Sequence, residues 1–67
     1  MSQEGYRITK LLEHWIEHNE EHVKRFRDVA EEASNASLQD VAEDLKLAAE
    51  KGDEVTTHLK KALNSVK

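Results

Sequence analysis

Two stretches of three-and-four apolar spacing, interrupted once by short polar residues and nowhere by proline, confine this chain to a small set of helical folds. From Ile8 the spacing passes through Leu11, Leu12, Trp15, Ile16, Val23, Phe26, Val29, Ala30 and Ala33, the stripe of an amphipathic helix. It resumes from Leu38 through Val41, Ala42, Leu45, Ala48, Ala49, Val55, Leu59, Ala62, Leu63 and Val66. Between the stretches, the side chains of Ser34-Asn35-Ala36-Ser37 compete with the helical backbone for hydrogen bonds, and Ser37 with Asp40 resembles a capping box. The expected fold is all-α, a single domain over 1–67 with a helix over about 4–33, a turn at 34–37 and a helix over about 38–66. Folded back on itself, such a chain is an antiparallel two-helix hairpin of long helices.

Gly52 interrupts the second stretch. Lys51-Gly52-Asp53-Glu54 reads as a stop and a new start, which would give a three-helix arrangement. Against that, Leu38, Leu45, Gly52, Leu59 and Val66 are spaced by sevens, so the glycine keeps the leucine register, which a true break would not require. One continuous helix is the preferred reading, with the three-helix arrangement as the alternative. A mid-helix glycine costs roughly 1 kcal/mol relative to alanine and so calls for a packing reason. In the hairpin it is expected near the height of Asn19, leaving room for the Trp15 indole or for a polar site, with Trp15 and Phe26 in the core.

Domains of this length bury only ~60% of the surface their unfolded chains expose. Cysteine is absent, so neither disulfides nor thiolate zinc can staple the fold. Oligomerisation is then the expected source of stability. Ile16, Val23 and Ala30 on the first helix and Ala42, Ala49 and Leu63 on the second widen the stripe to one side. Two hairpins paired on that side would form a homodimeric four-helix bundle. Net charge is −4 with acids and bases interleaved, which disfavours nucleic acid as a partner. No apolar run approaches the ~20 residues needed to span a bilayer, and residues 1–12 lack a signal-peptide pattern, so no membrane association and a cytoplasmic location are expected.

His14, His18 and His22 stand four apart, so on a helix each can share a metal ion with the next. The row drifts across the helix, with His22 expected in the seam beside Asn19, His18 at its margin and His14 outside. Glu21 lies within a turn of these imidazoles, and His58 on the second helix is expected at the height of Glu13 on the same flank. Imidazole with carboxylate suits divalent transition metals, zinc or nickel among them. The Glu-x-x-His motif of di-metal bundles is missing, because Trp15 and Asn19 stand three residues before His18 and His22. No nucleophile-base arrangement or glycine-rich phosphate loop is present, so no enzymatic activity is expected.

The segment from His14 to His22, with Phe26 and the alanine-rich second helix, resembles a family of small helical-hairpin domains of uncharacterised function in bacteria and archaea with an H-W-x-x-H-N-x-x-H signature. The resemblance implies a role for His14, Trp15, His18, Asn19 and His22 and is silent on His58. The leading reading is a small, non-catalytic metal-binding protein. His18 and His22 form its core chelate, His14 and Glu21 are auxiliary ligands and His58 is a cross-helix ligand. The runner-up is a structural module whose apolar flank recruits its own copy or another helical protein, with no physiological metal.

Overall fold

The computed structural model describes residues 2–66, and two helices account for nearly all of them: α1 over Gln3–Asn35 and α2 over Gln39–Val66. Helix α1 opens at Ser2, whose extended backbone and side-chain oxygen, accepting from the Gly5 amide at 3.0 Å, make an N-cap. Its 33 residues span about 50 Å at ~1.5 Å each, in keeping with Cα extents of 52 × 14 × 11 Å for the whole hairpin. Helix α2 runs through Gly52 without interruption, so the three-helix alternative does not hold.

The reversal is tighter than the polar run suggests. Ala36 ends α1, and Ser37 adopts φ 62°, the left-handed conformation in which glycine is usual. The Leu38 amide donates back to the Ala33 carbonyl at 2.8 Å, and the Ser37 amide to that of Ser34 at 3.1 Å. These two bonds are the Schellman pattern that satisfies the last carbonyls of a helix. Ser37 therefore closes α1, whereas the capping-box reading had it opening α2. Gln39 Nε2 adds a bond to the Ser34 carbonyl at 3.3 Å across the turn.

One polar knot sets the register. The Asn19 side-chain amide donates to the Gly52 carbonyl at 2.7 Å and to Thr56 Oγ1 at 2.6 Å. One turn further along α1, Val23 fills the notch that Gly52 leaves: a Cβ at that glycine would overlap Val23 Cγ2. Val23 is β-branched and holds one rotamer in a helix, so it cannot swing aside cheaply. This is the packing reason for Gly52, and it differs from the expected indole; Trp15 is 48% exposed.

From that register the seam follows in heptads. Along α1 the seam runs through Thr9, Leu12, Ile16, Asn19, Val23, Phe26, Ala30 and Ala33, and along α2 through Ala42, Leu45, Ala49, Gly52, Thr56, Leu59, Leu63 and Val66, all of them buried or half-buried. Each run alternates steps of three and four, the signature of antiparallel coiled-coil packing. Large residues meet small ones toward the turn, where Phe26 stands level with Ala49 and Leu45 with Ala30. Toward the open end, Ile16 is level with Leu59 and Leu12 with Leu63.

The widened side of the stripe is thus not a second face. Ile16, Val23, Ala30, Ala42 and Ala49 are the interior of the hairpin itself, at 9%, 4%, 1%, 1% and 0% exposure. Both phases of the stripe satisfy an amphipathic pattern. The Val23–Gly52 fit and the Asn19 bonds select this one, because the other would leave a polar amide without its partners.

Candidate functional site: a histidine-walled apolar flank

Choosing that phase turns a different set of residues outward. The columns one step beside the seam are Ile8, Trp15, His22 and Val29 on α1 and Val41, Ala48, Val55 and Ala62 on α2, each spaced by sevens and so aligned along one edge. Of the eight large apolar side chains that are exposed among the described residues, five belong to these columns: Ile8, Trp15, Val29, Val41 and Val55, at 38–48% exposure. The interior, by contrast, hides no large side chain completely, and its most buried members are alanines. The hairpin therefore encloses Leu12, Ile16 and Val23 together with its alanines, and leaves a row of further large apolar residues on one flank. Leu47 is exposed as a single residue away from this edge.

At mid-length, Trp15, His18, Asn19, His22, Val55 and Leu59 line an open groove of about 350 Å³. Its histidine wall is a row of adjacent rings. His14 and His18 stand 4.3 Å apart between centroids and tilted by 49°, His18 and His22 6.3 Å apart and tilted by 52°, and His22 stacks on Phe26 at 6.3 Å. The row follows from the i, i+4 spacing, which superposes side chains on successive turns. All three histidines are exposed, and His22 stands beside the seam, not within it as its phase had suggested.

The remaining anticipated ligands are not drawn into the groove. Glu21 is exposed on the outer side of α1. Because Thr56 lies opposite Asn19, His58 falls at the height of Glu17, a turn away from the Glu13 level expected for it. Among the described residues, no group of three or more His, Cys, Asp or Glu side chains is gathered closely enough to hold a metal ion. What the ladder presents is two adjacent imidazole pairs, His14–His18 and His18–His22.

The opposite edge of the seam is charged. Lys60 pairs with Glu20 at 3.2 Å and Arg27 with Asp53, both across the two helices. Of the groove walls, Trp15 and His22 were expected inside, in the core and in the seam, and both stand outside it. Their heptad columns were visible in the sequence, but nothing in it ranked those columns against the true seam.

The helical segments match a family model over residues 8–66. The chain belongs to the DUF8180 family, a domain of unknown function. The matched stretch begins at Ile8, the first residue of the apolar column, and ends at Val66, the last of the seam, so the DUF8180 domain is the hairpin. An uncharacterized protein of Archaeoglobus fulgidus is 43% identical over 60 residues, 90% of this chain and 95% of that protein. No solved structure matches the chain. Among the described residues of this DUF8180 domain, no helix is long and apolar enough to cross a membrane.

Proposed function

We propose that this DUF8180 domain is a homotypic association module, in which two hairpins pair through the flank of Ile8, Trp15, Val29, Val41 and Val55 to make a four-helix bundle. The observation that carries this reading is the row of large apolar side chains left outside the seam, with the only tryptophan 48% exposed. Fully burying a large apolar side chain contributes about 1.5–3 kcal/mol, so covering this flank would add substantially to the stability of a small fold. In this reading the stretch His14-Trp15-Ile16-Glu17-His18-Asn19-Glu20-Glu21-His22 is its working segment. Asn19 fixes the register within the hairpin, and Trp15, His18 and His22 face the partner. Metal-stripped protein at tens of micromolar should sediment as a dimer, and Trp15→Glu combined with Val55→Glu should return it to a monomer of unchanged helicity. A monomer in the unmodified protein would end this reading.

The histidine row favours a second reading, non-catalytic binding of zinc or nickel by a single hairpin. It is supported by the adjacent His18 and His22 rings, 6.3 Å apart between centroids, and by the exposure of all three imidazoles. His18 and His22 would be the chelate, with His14 and Glu21 as auxiliary ligands. Calorimetric titration with each metal, repeated after changing His18 and His22 to alanine, tests it. Affinity that survives the double substitution would remove the ladder from consideration.

A further inference from the structure

A histidine pair at mid-length in an apolar flank is half of a metal site. Zinc takes four ligands in a tetrahedron, and each hairpin supplies an i, i+4 pair, His18 and His22, with no third ligand gathered near it among the described residues. The pair brackets the middle of α1, which runs from Gln3 to Asn35. A twofold axis that gives two such hairpins the greatest overlap passes close to this middle, and residues near a twofold meet their own copies.

The flank is large enough to be such an interface. A face 52 Å long and two helix diameters of ~10 Å wide offers on the order of 1,000 Å² per hairpin, so a pair would bury about 2,000 Å², at the upper end of the ~1,200–2,000 Å² of specific stable interfaces. Two face-to-face arrangements with twofold symmetry are open to it. With both turns at the same end, α1 lies on the partner's α2, so His22 meets the Val55 column, and the one imidazole brought across, the partner's His58 at the height of Glu17, comes near His18 alone. With the turns at opposite ends, α1 lies on the partner's α1, and the imidazoles meet imidazoles. Buried polar groups are almost always satisfied, which favours the second arrangement.

We propose that two hairpins pair flank to flank with their turns at opposite ends, and that the two His18–His22 pairs thereby brought together form a four-imidazole site for a tetrahedral divalent cation such as zinc. The inference rests on the association reading and adds to it the arrangement and the ligand. Each nitrogen that ligates the ion is neutral, so binding weakens as the imidazoles protonate. His14 lies one turn farther from the axis on the outer side and is not a ligand. By the register set at Asn19 and Thr56, the axis crosses α2 beside Val55, so the two Val55 side chains face each other.

The test uses the full chain, stripped of metal and titrated with zinc alone, with mass followed by sedimentation. The expected result is half an equivalent of zinc per chain and at least a tenfold tighter dimer with zinc present. His18→Ala with His22→Ala should abolish both effects, and His14→Ala should leave both intact. Because the chain has no cysteine, Val55→Cys provides a geometric readout independent of metal: oxidation should cross-link the dimer rapidly. One zinc per chain on a monomer, or no zinc bound at micromolar concentrations, overturns the proposal. So does a metal-free dimer that Val55→Cys fails to cross-link, an outcome that leaves the association reading standing. A monomer under all conditions overturns both.

Discussion

The two edges of the seam occupy equivalent heptad positions and carry opposite chemistry. Along one, Glu20–Lys60 and Arg27–Asp53 bridge the helices in solvent. Along the other stand Ile8, Trp15, His22 and Val29 facing Val41, Ala48, Val55 and Ala62, and among the described residues no ion pair crosses it. Charged edges help to set the register of a coiled coil and remain comfortable in water. Exposed apolar patches on folded proteins are the kind of surface that marks interaction sites. The hairpin thus has one charged side and one apolar side, and His18 and His22 belong to the apolar one.

The largest expected effect tests the seam from which both edges are assigned. Gly52→Ala should gain ~1 kcal/mol in helix propensity, yet the overlap with Val23 Cγ2 puts overpacking at the upper end of about 1–3 kcal/mol, giving a net loss of up to ~2 kcal/mol in urea denaturation. If alanine stabilised the protein, the register would be wrong and the two edges would have to be redrawn. Next in size, Asn19→Ala should lower stability by about 1–2 kcal/mol, because the Gly52 carbonyl and the Thr56 hydroxyl lose their donor in a part-buried site. A loss of that size at an unchanged slope in denaturant would sharpen the comparison by placing the polar knot between the edges.

Ser37→Gly should raise stability by up to ~1 kcal/mol, since glycine takes the left-handed conformation without the side-chain penalty. Neither dimer mass nor salt dependence should change with it, which would separate the turn from both edges. The smallest effect belongs to the charged edge. Lys60→Ala and Arg27→Ala should each leave the urea midpoint almost unchanged, because exposed pairs are weak and screened. A large drop in the midpoint at either position would show that this edge also bears on the core and would undo the contrast.

Much of this was legible in the residues. The three-and-four spacing determined two long helices, the polar run at Ser34–Ser37 placed the reversal within a residue or two, and the sevenfold recurrence through Gly52 indicated that α2 is unbroken. Asn19 was assigned to the seam correctly. His22, Trp15 and Val29 were harder, because each apolar stripe is wider than a two-helix seam and fits it in two phases about one column apart. The ladder shows the same limit. Its spacing is a property of α1 alone and was readable, whereas its distance from His58 depends on how α2 is registered against α1.

By itself the sequence determined what is local or periodic: helix type and length, the turn, and the continuity of α2, because backbone propensity and side-chain period act within one helix. Tertiary structure decided which column of each stripe is inside. That choice depends on contacts between residues far apart in the chain, Val23 in the notch at Gly52 and the Asn19 amide on Gly52 and Thr56. Once those contacts select the phase, the alanines are enclosed and the tryptophan, valines and histidines are left on the flank.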